Sequence, residues 1–167
     1  MERMAVWEKF LEKIRDGLLT FYGENLFAAM VFGSAARGDF QKGSDLDLLI
    51  ILGESKDSIG KRIDEFMKME WEIMKSQQYA MAKAQGFPRR IEPVILDLEE
   101  FRAHPPLLLD LTTDAQILID KENVFAKEMD LLKRRLQEVG AKKIVLGEGR
   151  WFWVLKNDIK LGEKVVL

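Results

Sequence analysis

Two apolar runs within residues 26–52 constrain the fold of this chain more than any other part of the sequence. The first run is Leu26–Phe32 and the second is Leu48–Leu52, and both have the length and uninterrupted apolar character of buried strands. A Gly33-Ser34 pair follows the first run, and Asp45-Leu46-Asp47 leads into the second. The pattern predicts two neighbouring strands with polar residues gathered at their ends.

The two aspartates before the second run indicate a cation. Residues i and i+2 of a strand lie on the same face, so Asp45 and Asp47 are expected to present their carboxylates side by side. Two like charges at that separation are costly unless a cation lies between them. Oxygen-only ligands favour a hard divalent ion such as Mg²⁺. The alternative is a strand–turn–strand with two solvated aspartates, which leaves the spacing of glycines and carboxylates unexplained.

The Gly33-Ser34 pair indicates a phosphate. It opens a predicted helical turn, Ser34–Arg37, and backbone N–H groups at the start of a helix attract phosphate. Glycine at this position lets a phosphate approach the backbone without a clash with Cβ. A metal on the carboxylates and a phosphate on the turn together describe a site for a nucleoside triphosphate.

Residues 90–96 are predicted to form a third strand. Pro93 lacks an N–H, which places this strand at an edge of the sheet or at a bulge. Glu92 shares a face with the apolar residues that follow it, and a carboxylate on the core-facing side of a strand needs a functional reason. An exposed edge-strand glutamate is the alternative. Asp97 is the competing carboxylate, and we expect it to cap a short helix over residues 98–103.

Length and composition indicate one soluble domain. The 167 residues are 47% hydrophobic and 32% charged, which is typical of a globular chain with a full core. We expect a single domain over residues 1–167, with a core of about 1–120 and a C-terminal extension of about 121–167. The absence of cysteine excludes disulfides and thiolate metal sites, and the net charge of −2 argues against strong nucleic-acid binding. No apolar stretch approaches a membrane span and no signal peptide is evident, so the expected location is the cytoplasm.

The rest of the chain has mainly helical periodicity. Amphipathic helices are predicted over residues 3–22, 57–85 and 123–139, with a short helix over 107–114 and a strand over 116–119. His104 precedes two prolines and is predicted to be a loop residue, although a catalytic base is the alternative. The tail after residue 140 suggests a hairpin with Trp151 and Trp153 on one face, packed on the domain.

The spacing of the first motifs resembles a known signature. Gly33-Ser34, ten residues, and then Asp45-Leu46-Asp47 is similar to the signature of the DNA polymerase β-like nucleotidyltransferase superfamily. The stretch GSAARGDFQKGSDLDLLI resembles the minimal, single-domain branch, including Arg37-Gly38 and the serine before the first aspartate. The resemblance implies an α/β (α+β) fold, a small mixed β-sheet packed by helices. In that superfamily a third carboxylate stands on the strand beside the Asp-x-Asp pair, and the run Arg90-Ile91-Glu92 resembles that position.

The resemblance also implies the roles of the site residues. Those implied are Asp45, Asp47 and Glu92 as catalytic groups and ligands of Mg²⁺ or Mn²⁺, and Gly33, Ser34, Arg37, Lys42 and Ser44 as phosphate contacts. The expected reaction is transfer of a nucleoside monophosphate, AMP from ATP, onto a hydroxyl. Minimal members often pair with a small helical protein of the HEPN type as the antitoxin of a toxin–antitoxin pair, and some modify a tyrosine of that partner. The alternatives are a nucleotide- or partner-binding module without turnover and, more remotely, an aminoglycoside-type transferase.

Overall fold

A mixed sheet organises the computed structural model, which describes residues 2–39, 41–88, 90–147, 150–160 and 163–165. Within these ranges its strands are β1 (Leu26–Phe32), β2 (Leu46–Leu52), β3 (Ile91–Asp97) and β4 (Gln116–Asp120), in the spatial order β3-β2-β1-β4. Strand β1 pairs antiparallel with β2 and β4, whereas β2 and β3 are parallel. The predicted fold class, a small mixed sheet packed by helices, is confirmed. Strand β3 lies at the edge, as Pro93 predicted.

Helices cover both faces of the sheet. They are α1 (Glu2–Tyr22), α2 (Gly33–Arg37), α3 (Ile59–Met74), α4 (Gln77–Ala84), α5 (Leu98–Arg102), α6 (Leu107–Leu111) and α7 (Val124–Glu138), with short 3₁₀ turns at Gly23–Asn25 and Lys121–Asn123. None of the helices in the described ranges is both long and apolar enough to cross a bilayer.

Alternation along the central strands divides the core into two layers. Leu48 and Ile50 of β2 belong to a cluster with α1, α3 and α4, in which Phe10, Ile14, Leu18 and Phe66 are fully buried. Leu49 and Ile51 face the opposite cluster, built from α5, α6 and α7. Because β1 and β2 are buried on both faces, their sequences are continuous apolar runs rather than alternating ones.

The prediction of one helix over residues 57–85 is wrong. The helix stops at Met74, and a second helix begins at Gln77. Ser76 causes the break, because its hydroxyl donates to the Ile73 carbonyl at 2.6 Å and accepts from the Tyr79 N–H at 3.2 Å as an N-cap. The turn brings Tyr79 into the core that α1 covers.

His104 lies in the α5–α6 connection, as predicted, but it is not solvated. Its side chain is 2% exposed, and Nε2 lies 2.7 Å from a carboxylate oxygen of Glu128 on α7. Arg135 of α7 approaches the other ring nitrogen at 3.5 Å. The contacts of His104 hold α7 onto the α5–α6 connection.

The tail forms the predicted hairpin. Its strands are β5 (Lys142–Gly147) and β6 (Arg150–Val154), paired antiparallel as a separate two-stranded sheet. Trp153 packs against the α5–α7 core layer. A hairpin alone is marginally stable in water, so this contact with the domain is what supports it.

Candidate functional site

The start of α2 lies directly against the carboxylate of Asp47. Strand register pairs Phe32 with Asp47, which places the residue after Phe32 beside that side chain. Gly33 has φ +68°, and a Cβ built on it would lie 2.1 Å from Asp47 Oδ2. Only glycine satisfies both the left-handed backbone and the close approach. The turn and the carboxylate therefore form one compact unit.

The predicted helical turn after this glycine is confirmed as α2. Ser34 is half-buried, and its carbonyl accepts the N–H of Asp39 at 3.2 Å as the turn closes. Gly38, at φ +77°, ends the helix in the left-handed region. The chain thus leaves the end of β1, makes one turn and returns towards β2 on the side of Asp47.

The three predicted carboxylates lie on, or directly before, two adjoining strands. Asp47 is the register partner of Glu92 on β3, and Asp45 lies two residues before Asp47. The start of β3 is fixed by two hydrogen bonds, from Leu46 N to the Arg90 carbonyl at 2.9 Å and from Ile91 N to a carboxylate oxygen of Glu70 at 2.9 Å. These bonds fix the backbone that carries Glu92.

The charges of these carboxylates act on one another. Burial, then the charge of Glu92 and that of Asp45, raise the pKa of Asp47, and the guanidinium of Arg37 opposes part of that rise. The ionised Asp47 is therefore destabilised by its surroundings. A cation bound among these groups would relieve that repulsion.

Arg90 supplies a resident positive charge at this point. Its Nε lies 3.6 Å from Asp45 Oδ2, and its Nη2 forms an ion pair with Glu92 Oε1. The side chains of Arg90 and Glu92 are 56% and 42% exposed, so the pair is open to solvent. Sequence reasoning assigned no role to Arg90, although its i, i+2 spacing from Glu92 places the two side chains on one face of the strand.

The carboxylates fit a hard divalent ion in donor type and charge. All of their donors are oxygens, and burial together with the charges of Glu92 and Asp45 raises the pKa of Asp47 at the start of β2. Among the described residues no three acidic or histidine side chains already stand in the arrangement of a metal cage. Arg90 contacts one oxygen of two of the three carboxylates, so an ion bound there would compete with its positive charge.

The predicted phosphate contacts occupy different places. Arg37 on α2 is close enough to Asp47 to lower its pKa, and its Nε donates to Asp39 Oδ2 at 3.2 Å. Ser44 stabilises the turn before β2, because its hydroxyl accepts the N–H of Gln41 at 3.2 Å. Lys42 is exposed, and its stem lies beside Gly86. The structure brings Arg37 to the carboxylates, whereas the contacts of Lys42 and Ser44 are with neighbouring turns.

Asp97 caps α5, as predicted. Its Oδ1 accepts the N–H groups of Glu99 and Glu100 at 3.0 and 2.9 Å, and Glu100 completes a capping box. Asp97 pairs in register with Leu52, at the opposite end of β3 from Glu92. The two lie five positions apart along the strand, a separation of about 16 Å, which is too far for one shared ion.

Comparison with known proteins identifies relatives of the chain. A family profile described as a nucleotidyltransferase domain matches residues 11–151. The chain is 25% identical over 135 residues to a protein of Methanocaldococcus jannaschii provisionally named protein adenylyltransferase MJ1305, covering 80% of this chain and 83% of the relative.

Two solved structures are similar to the chain at low identity. A chain in the crystal structure of a toxin-antitoxin with AMP-PNP is 19% identical with a TM-score of 0.43, and the match covers 78% of this chain and 92% of that one. A chain in the structure of tri-AMPylated Shewanella oneidensis HEPN toxin in complex with MNT antitoxin is 17% identical with a TM-score of 0.37, covering 83% of this chain and 92% of that one.

Proposed function

The chain belongs to the nucleotidyltransferase domain family, and on that basis we propose that it transfers AMP from ATP to a hydroxyl group of a partner protein, with Mg²⁺ or Mn²⁺. The observation that carries the proposal is the unit formed by Asp47, its register partner Glu92 and the glycine turn at Gly33. It joins carboxylates suited to a divalent ion to a backbone turn that packs directly against one of them.

Each group has a distinct role in the proposed reaction. Asp45 and Asp47 would hold the metal, which when bound neutralises charge on the triphosphate and on the attacking and leaving oxygens. Gly33 and Ser34 would orient the triphosphate, and Arg37 would contact its oxygens from α2. Glu92 is open to solvent and accepts the proton of the acceptor hydroxyl. The hydroxyl oxygen bonds to the α-phosphorus while the bond from that phosphorus to pyrophosphate breaks.

A protein acceptor is supported by two considerations. The relative from Methanocaldococcus jannaschii is provisionally named a protein adenylyltransferase. The carboxylate that would take the proton is 42% exposed, so a hydroxyl on a large molecule can reach it. The family resemblance adds a small helical HEPN-type protein as the partner, with this chain as the antitoxin. An ATP-dependent reaction of this kind belongs in the cytoplasm.

The test is a transfer assay on a purified partner. A small helical HEPN-type protein, sought in the neighbouring gene, is incubated with the chain, ATP and Mg²⁺, and intact-mass spectrometry is expected to show AMP-sized additions. Asp47→Asn, which keeps the side-chain shape, is the inactive control. Tight binding of the partner without any added mass would favour a binding module, and transfer only to a small hydroxylated molecule would favour an aminoglycoside-type enzyme.

A further inference from the structure

The hairpin β5–β6 meets the domain next to the candidate site. Both of its tryptophans use one acceptor, because Trp151 Nε1 donates to Asp110 Oδ1 at 2.6 Å and Trp153 Nε1 donates to the same atom at 3.0 Å. Asp110 lies on α6. The i, i+2 spacing of the two indoles places both on the inner face of β6. The hairpin is therefore anchored to α6 through this carboxylate.

The two tryptophans differ in what else they contact. Two cationic groups lie over the ring of Trp151: Lys143 Nζ is 4.6 Å and Arg37 Cζ is 4.9 Å from the ring centroid. Lys143 belongs to the hairpin itself and is neutralised by Asp114 at 3.4 Å. Arg37 instead comes from α2, more than a hundred residues earlier in the sequence. Trp151 is thus the point where the hairpin contacts the turn that follows β1.

Arg37 retains capacity for a ligand in this position. Its Nε is engaged by Asp39, and within the described part of the chain no hydrogen bond engages its Nη1 or Nη2. A guanidinium presents paired N–H groups that match phosphate oxygens. A cation over an indole face is held by the ring quadrupole without using any of those donors. The ring and Asp39 therefore fix the base of the guanidinium and leave its far edge available.

We infer that Trp151 is a positioning residue, which holds the Arg37 guanidinium beside Asp47 for contact with the triphosphate of the nucleotide. The inference rests on the proposed function, since it assigns a hairpin residue to the same nucleotide site. It makes the C-terminal hairpin a part of that site, although its sequence lies about a hundred residues beyond the glycine and aspartate motifs. Trp153 shares the anchor on Asp110 but has no contact with Arg37 among the described residues.

Trp151→Leu and Trp153→Leu form a matched pair for the test. Each removes one indole from the same face and one hydrogen bond to Asp110, but only the first removes the ring from Arg37. Calorimetry with a non-hydrolysable ATP analogue and Mg²⁺ should show affinity weakened roughly 2- to 30-fold in Trp151→Leu, the range of a cation–π contact. Trp153→Leu should stay within about 2-fold of the unmodified protein, and Trp151→Phe, which keeps a ring face, should recover most of the loss.

A double-mutant cycle separates positioning from general packing. In an Arg37→Met background, Trp151→Leu should cause no further loss of affinity, because the residue acts through the guanidinium. Equal losses in Trp151→Leu and Trp153→Leu, or an undiminished effect of Trp151→Leu in the Arg37→Met background, would overturn the inference and leave the proposed function standing. Failure of the unmodified, folded protein to bind the analogue would overturn both.

Discussion

Replacing Gly33 with alanine separates backbone strain from damage to the site. An alanine at φ +68° costs about 1–2 kcal/mol, because its Cβ approaches the following carbonyl oxygen. The same Cβ would lie 2.1 Å from Asp47 Oδ2 and 3.1 Å from its Cγ, both of which are too close for the carboxylate to stay in place. Restoring an ordinary contact displaces Asp47 by about 1 Å, and a misplacement of that size can reduce catalysis by roughly 10²-fold.

Two other glycines provide the controls. Gly38 and Gly140 have φ of +77° and +71°, and a Cβ at either would meet nothing within 4 Å. Alanine at these positions carries the backbone penalty without the collision. The backbone penalty of about 1–2 kcal/mol should lower the Tm by about 2–8 °C in a domain of this size, and Gly33→Ala should lose at least as much as the two controls. Only Gly33→Ala should also lose transfer.

The assay combines thermal unfolding with AMP transfer and Mn²⁺-dependent binding of an ATP analogue. Activity is compared at a temperature at which all three variants are fully folded. If Gly33→Ala transfers AMP as fast as Gly38→Ala at equal stability, the contact between the turn and Asp47 has no part in catalysis, and the reasoning fails.

Three further predictions concern charges around the site. Glu92→Gln should reduce transfer roughly 10²–10⁴-fold while nucleotide still binds. Asp97→Asn should leave transfer intact, and it should change stability little through its cap, because asparagine is as good an N-cap as aspartate. The reverse order in one single-turnover assay would place the third carboxylate on Asp97. Because the pKa of Asp47 is raised in the folded protein, its ionised form lowers folding stability above that pKa, whereas it has no effect below the ordinary aspartate pKa of about 3.9. Asp47→Asn should therefore raise the Tm of the metal-free protein at pH 7 and leave it unchanged at pH 3. Calorimetry in the presence of a chelator that shows no gain at pH 7 would contradict this prediction. Arg90→Met should increase the affinity for Mn²⁺ in the absence of nucleotide by roughly 2- to 5-fold, as expected for removing an exposed ion pair. The control Arg102→Met, which also removes an exposed arginine, should leave the affinity for Mn²⁺ unchanged. A decrease for Arg90→Met, measured by spin-resonance titration, would show that Arg90 assists the metal.

The strands and the turn were predictable because each is marked by local signals. The apolar runs of β1 and β2 stop at glycine and aspartate, and Pro93 marks β3 as an edge strand. The break between α3 and α4 was not predictable, because the apolar periodicity continues across Lys75 and Ser76 and the cap that breaks the helix depends on one hydroxyl. Periodicity reports which side of a helix is buried, and it gives little information on where the axis turns.

The site was predictable only in its carboxylates and its glycine turn. From the sequence, glycine was expected at position 33 so that a phosphate could approach the backbone. In the structure, glycine is required there first because the carboxylate of Asp47 packs against it. The contacts of Trp151 with Asp110 and Arg37 join segments 41 and 114 residues apart, and no local pattern encodes such pairs. The burial of His104 has the same origin, because its partner Glu128 lies 24 residues away.

The parallel pairing of β2 with β3 affects the order in which the residues of the candidate site come together during folding. The β1–β2 pair joins residues close in sequence, so Gly33, Asp45 and Asp47 come together through a short loop. Glu92 is added only when the chain has crossed over through α3 and α4 and closed a pairing between distant segments, which is the slow kind of contact in folding. A nascent or partly folded chain therefore carries the two aspartates without the third carboxylate. If Glu92 takes part in the reaction as proposed, transfer requires that β3 has already paired with β2.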